Sequence, residues 1–425
     1  MSSAITAHPR VDYLSQPLTR RGVMKGLGAL GAVSLVAPAS LGAYAGAMSV
    51  TGLVYPLRRG PYQNNGATPW YATLPIGTPA QFLKFGLDTG SNFIWVTSSL
   101  CAQSGNPCTH YGGLEFAYGK SSSFAWIDRT DKNVSFGPWG TMVVETGRDL
   151  IGTPDGHATN TALYLSKDYS GSQFAQLDWD GGIGFPSGSQ YAQPGVSFYM
   201  RDLFNAGIID PEYPYISFVT DFATGTGSCR LGGVDPGAFD PNAGIFMPWT
   251  PYTGLPGVEY LWTTALSKYV VGSETVATNA VFSLDSGSSR FKGDNDYMNT
   301  TLAIIANAPA KPDVNLYLGS STTGGIGQIT IPPSVYEVTI EAGPDAGKTL
   351  PQFHPLGIPN MVLVGSVVMD LFYTIFEYDV QVIPTGYYLK PVGMWLFNKT
   401  GGPDLIRRRG DRPAPVGRRK PLKRR

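Results

Sequence analysis

The chain has 425 residues, 53 of them glycine and 34 proline, and 31 Lys and Arg offset 31 Asp and Glu to a formal charge of zero at pH 7. That length accommodates two lobes with separate cores, and so much Gly and Pro beside β-branched and aromatic runs argues for a turn-rich, mostly β protein over a helical one. The neutral total hides a segregation: residues 1–47 carry four basic and one acidic side chain, residues 407–425 carry ten and one, and residues 48–406 keep 17 basic and 29 acidic groups. A body this acidic marks no nucleic-acid binder, and it loses self-repulsion as pH falls, which suits acid working conditions.

At the start, Thr19-Arg20-Arg21-Gly22-Val23-Met24-Lys25 precedes a mildly apolar, glycine-containing run over 26–41. Residues 1–47 therefore read as a twin-arginine export signal, with small residues at Ala43 and Ala45 placing cleavage after Ala45 and Ala47 as second choice. The expectation is a bacterial protein carried by the twin-arginine machinery to the periplasm or the exterior. No later stretch is long and apolar enough to span a bilayer as a helix.

Farther on, Phe85-Gly86-Leu87-Asp88-Thr89-Gly90-Ser91 returns as Phe282-Ser283-Leu284-Asp285-Ser286-Gly287-Ser288, the aspartates 197 positions apart. The apolar residues before each aspartate alternate with small ones, so each carboxylate is predicted at a strand end. Gly90 and Gly287 permit close approach of another backbone. Thr89 and Ser286 offer hydroxyls suited to bonding between the two turns, while Ser91 and Ser288 can donate to their own aspartates. If the aspartates meet near a shared axis, two charges about 3 Å apart repel by roughly 5 kcal/mol at an effective dielectric near 20. One proton is then shared: the ionised member can take a proton from water while the protonated one polarises a carbonyl.

Between and beyond the repeats the signals are weaker. Val196, Tyr199, Met200, Leu203 and Phe204 fall on one face of a helix predicted over 196–206. Cys229 has no obvious partner and is expected as a free thiol in a strand. Gly343-Pro344-Asp345-Ala346-Gly347-Lys348-Thr349 looks like a phosphate-binding loop one residue short, but it follows a strand-like run over 335–340 and precedes Leu350-Pro351, so a hairpin turn is expected. Residues 407–425, basic and almost without apolar side chains, are expected to form a disordered tail that contacts an anionic surface or the acidic body, or is simply solvated.

The two aspartate turns resemble those of the pepsin-like aspartic proteases. Trp70-Tyr71-Ala72-Thr73-Leu74-Pro75-Ile76-Gly77-Thr78-Pro79 is similar to that family's first-strand signature, Asp180-Gly181-Gly182-Ile183-Gly184 and Leu363-Val364-Gly365 to its paired apolar-glycine sites, and Leu231-Gly232-Gly233-Val234-Asp235 to its lobe-junction strand. The resemblance covers about residues 69–392. It implies that Trp95 buttresses the flap and that Cys101 and Cys108, seven positions apart, form a small disulfide loop. It further implies an all-β, bilobal fold whose two pseudo-twofold-related lobes flank a central cleft: residues 48–240 with Asp88 and the flap, and residues 241–406 with Asp285.

Two features depart from the family. Its flap carries a tyrosine before glycine, whereas the matching stretch here is Val134-Ser135-Phe136-Gly137-Pro138-Trp139-Gly140. Either Phe136 is an apolar lid, the reading we favour, or Trp139 takes over with its indole donor. The family also has a basic prosegment of some tens of residues, and no such zymogen segment is evident before Trp70; Arg58 and Arg59 are the residues that would mimic one by pairing with the dyad.

Rival chemistries fare worse. Asp285-Ser286-Gly287 superficially resembles a serine-protease nucleophile turn, but His110, His157 and His354 lack the context of a catalytic base. Metal-ligand spacings of His or Cys are absent. Sequons at Asn133, Asn299 and Asn398 would matter in a eukaryotic secretory protein, to which the export signal does not point. The expectation is a monomeric aspartic endopeptidase acting on peptide or protein substrates without cofactor or metal, Asp88 and Asp285 sharing the water; the alternative is a peptide-binding pseudoenzyme.

Overall fold

The computed structural model describes residues 52–103, 105, 108–136, 140–319 and 327–408, so the expected export signal and most of the expected tail lie outside the described residues. The chain is mostly β: strands of the described residues form one 13-stranded sheet, one 8-stranded sheet and a two-stranded sheet. Alternation builds the outer strands. In Trp70–Ile76 the side chains of Trp70, Ala72, Leu74 and Ile76 turn inward, and in Leu53–Arg59 those of Leu53, Tyr55 and Leu57.

The sequence repeat becomes a structural one. Gln81–Asp88 lies between Trp70–Ile76, antiparallel to it, and Gly181–Gly184, parallel to it, with Leu87 opposite Ile183. Glu274–Leu284 likewise lies between antiparallel Trp262–Val271 and parallel Met361–Val364, with Leu284 opposite Val364. A short strand after each turn, Ile94–Thr97 or Phe291–Gly293, then pairs antiparallel with that parallel strand. Phe85, Leu87, Phe282 and Leu284 are buried, so both aspartates leave rigid central strands.

The halves also interlock. Phe372–Ile383 and Gly386–Lys399, late in the chain, join the larger sheet through pairing of Phe372–Ile383 with Tyr215–Asp221. The final strand Ile406–Arg408 pairs with Gly327–Ile331, so residues 407 and 408 belong to the fold and not to the expected tail. Backbone pairing fixes them there, which side-chain pattern does not report.

Helices differ from expectation in detail. The predicted 196–206 helix is Tyr199–Asn205: Tyr199, Met200, Leu203 and Phe204 form its buried face, and Val196 is buried ahead of it. Among the described residues the longest helix is Asn295–Asn307, which begins where the Asp294 carboxylate accepts from the backbone N–H of Asp296 at 2.9 Å and of Tyr297 at 3.3 Å. The run over 335–340 opens with a helical turn, Pro333–Tyr336, before the strand Glu337–Thr339; residues 343–349 then form a hairpin turn to Thr349–Pro351.

Asp370 ties the halves together. Its Oδ1 accepts from Trp70 Nε1 at 2.9 Å and from Thr220 Oγ1, and burial raises its pKa to about 6. A carboxyl that holds its proton more tightly folded than unfolded contributes stability below about pH 4 that is lost as pH rises through 6. Asp370→Asn keeps an acceptor and cannot ionise. Urea unfolding at pH 4 and pH 7 is expected to show that it removes part of this loss, a gain of about 2–3 kcal/mol at the higher pH.

Candidate active site

Local turn geometry explains how the two carboxylates are held. The Gly90 N–H donates to Asp88 Oδ1 at 2.7 Å, and the Gly287 and Ser288 N–H groups donate to Asp285 Oδ1 at 2.9 and 3.2 Å. Across the axis the turns exchange bonds: Thr89 N–H donates to Ser286 Oγ at 2.9 Å, Ser286 N–H donates to Thr89 Oγ1 at 2.9 Å, and Ser286 Oγ donates to the Leu87 carbonyl at 2.6 Å. Thr89 and Ser286 are buried, so these bonds are satisfied in a dry environment where a lost partner costs about 1–3 kcal/mol. The segment 66–68 straps onto the second turn, Thr68 N–H donating to the Gly287 carbonyl and Ser289 N–H to the Gly66 carbonyl.

Each aspartate side chain lies against the glycine of the opposite turn, Asp285 over Gly90 and Asp88 over Gly287, so the two carboxyl groups face one another across the axis. Burial, and next the Asp285 charge, lift the Asp88 carboxyl well above the usual carboxylate range, against the pull of the Gly90 N–H and the Ser91 hydroxyl. Ser288 Oγ donates to Asp285 Oδ2 at 2.6 Å. Asp285 thus receives three donors from its own turn, an environment suited to a negative charge, while Asp88 is suited to hold a proton.

Over the pair lies a cleft of about 440 Å³. Phe93, Trp95, Phe136, Phe174 and Trp179 line it from the first half, and Leu255, Val258, Tyr260, Ile358 and Leu363 from the second. Strands Ala125–Ser135 and Thr141–Gly152 form a hairpin that delivers Phe136 to this rim. Its ring meets Phe93, Trp95 and Phe174 edge-on at centroid distances of 5.5, 6.0 and 5.5 Å. Phe136 thus packs edge-on against Trp95 in the cleft lining; Gly137 and Trp139 lie outside the described residues.

Other expected residues are accounted for. Cys101 and Cys108 are disulfide-bonded, and Cys229 is a buried free thiol in Thr226–Leu231. Arg58 is exposed and Arg59 pairs with Glu341 while stacking on Phe222, so neither engages the dyad. His110 is buried against Asp180 at 3.0 Å, remote in role from any nucleophile. Sequence reasoning missed two neighbours. Tyr169 stacks on Phe174, meets Trp95 edge-on and shares a 2.6 Å hydrogen bond with Thr97, bracing the rings on which Phe136 packs. Lys292, seven residues after Asp285, is buried beside the second turn; aligning the repeat past its seventh residue would have set it against Trp95.

A family model described as eukaryotic aspartyl protease matches residues 69–386. The chain is 24% identical over 336 residues to Pepsin-2B of Gadus morhua, covering 74% of this chain and 94% of the relative. It is 24% identical to Pepsin A of Gallus gallus, covering 75% and 83%, and 22% identical to Gastricsin of Cavia porcellus, covering 72% and 77%.

Proposed function

Because this chain belongs to the eukaryotic aspartyl protease family, we propose that it is an endopeptidase that hydrolyses peptide bonds with a water shared by Asp88 and Asp285, preferentially at acid pH. The observation that carries the proposal is the facing pair of carboxylates, each packed on the other turn's glycine and held by crossed turns in the lining of an apolar cleft. Asp285, with three donors, serves as the base that takes a proton from the water; Asp88, holding its proton, donates toward the carbonyl oxygen as the tetrahedral centre forms. No covalent intermediate is needed. An extended peptide with apolar side chains at the cut bond suits the aromatic and aliphatic walls.

The motif Thr19-Arg20-Arg21 and the apolar run after it support export of the folded enzyme through a twin-arginine route to the periplasm or the exterior. We retain that location as part of the same reading.

Incubating the purified full chain with a denatured protein from pH 2 to 8, and sequencing new termini by mass spectrometry, tests the activity. Internal cuts, most abundant on the acid side, are expected. A folded protein that makes none at any pH is instead the peptide-binding reading of the same cleft. The lid is tested separately: Phe136→Ala is expected to lower kcat/KM about tenfold through lost aromatic contacts, with a modest fall in melting temperature, and Phe136→Tyr to retain the wild-type value. Full activity in Phe136→Ala would shift the lid role to Trp139.

A further inference from the structure

Lys292 stands where the internal repeat has changed its chemistry. It lies on Phe291–Gly293, opposite Leu363, as Trp95 lies on Ile94–Thr97 opposite Gly182. An ammonium thus replaces an indole at the twofold-related position. Lys292 is 8% exposed yet borders the cleft. Its Nζ donates to the Gly66 carbonyl at 2.8 Å and to Ser288 Oγ at 2.9 Å, and Ser288 Oγ donates to Asp285 Oδ2 at 2.6 Å. The direction of this chain is forced. An ammonium can only donate, so the serine hydroxyl turns its single proton to the carboxylate, which receives it on an unprotonated oxygen.

We propose that Lys292 is a positioning residue that acts through Ser288 to keep Asp285 the ionised member of the pair, assigns the shared proton to Asp88, and thereby moves the whole activity–pH profile toward acid. This rests on the hydrolytic reading above. Through the Ser288 bridge the ammonium lies within roughly 6 Å of the carboxylate, the range in which an opposite charge favours ionisation. Burial removes most salt screening.

The groups facing Lys292 can be named. Asp285 and Asp88 favour its charge, and Arg290 opposes it. His354, its register partner on Phe353–Pro355, is held below the usual imidazole range by burial and then by Arg290 and Lys292. Leu363, on the other side, is apolar. Burial brings the ammonium to about 8, so it is charged throughout the acid range. A cation near the pair favours both of its ionisations, and both limbs of the profile move down together.

The test is kcat/KM against pH for the full chain, Lys292→Met, Lys292→Arg and the exposed control Lys390→Met. Lys292→Met is expected to move both limbs up by about one pH unit or more, which is a roughly tenfold loss on the acid flank carried by kcat and not KM. Lys292→Arg restores the wild-type limbs, and Lys390→Met leaves them in place. A folded, active Lys292→Met with unmoved limbs overturns the proposal. A wild-type chain that cleaves nothing refutes the hydrolytic reading instead. In that case, or if Lys292→Met does not fold, NMR of the 13Cε-lysine-labelled wild type decides, with the Lys292 signal assigned by its absence from Lys292→Arg. A resonance titrating near pH 8 that moves lower still in Asp285→Asn is expected; one that titrates with the surface lysines and ignores Asp285→Asn overturns the contact.

Discussion

Asp88→Asn and Asp285→Asn are each expected to lower kcat/KM for peptide hydrolysis by at least about a thousandfold, within the range general acid–base groups supply. The pair works as a unit: one carboxylate must carry the charge and the other the proton, and an amide can do neither. Folding survives, because the crossed bonds between Thr89 and Ser286 and the carbonyl of Leu87 do not involve the carboxylates. Stability has a sign of its own. The folded Asp88 carboxyl is raised above its ordinary value, so its contribution is present at low pH and is lost as pH rises. Asp88→Asn should therefore melt no lower than wild type at pH 7. Thermal melts alongside kinetics check both halves of this expectation; comparable turnover in either variant would remove the dyad from the chemistry.

The second large effect is expected from a single methyl group. A Cβ built on Gly287 runs into the Asp88 carboxylate, and one built on Gly90 runs into that of Asp285. Each carboxylate is held by donors of its own turn, so a retreat breaks those bonds. Gly287→Ala and Gly90→Ala should each cost at least about a hundredfold in kcat/KM, as displacements near 1 Å at reacting groups do. Overpacking at the same place should remove about 1–3 kcal/mol of stability. Gly119→Ala, where an added Cβ meets nothing within 4 Å, is the control and is expected to change neither quantity.

The two turns were legible because their information is local: an apolar strand, an aspartate, a small hydroxyl residue and a glycine occupy consecutive positions, twice. The short parallel strands Gly181–Gly184 and Met361–Val364 were legible only through resemblance, since four-residue buried runs carry no period that separates strand from helix. What escaped notice depends on distant partners. Ile406–Arg408 is strand because Gly327–Ile331 pairs with it, against an arginine-rich composition that reads as tail. The Asn295–Asn307 helix announces itself through the Asp294 cap more than through its modest apolar face. Tyr169 reaches the flap's footing only by way of Thr97 and Phe174, contacts no spacing rule connects. Lys292 was within reach, because the repeat itself points to it once extended from Trp95.

If one cleft with both carboxylates activates water on a bound peptide, a statine-type peptide, whose hydroxyl sits where the shared water would, blocks the reaction. Titrating the active protein with such a peptide is expected to give competitive inhibition at one equivalent per chain, with binding weakened in Asp285→Asn. Cleavage that persists at saturating statine would contradict that mechanism.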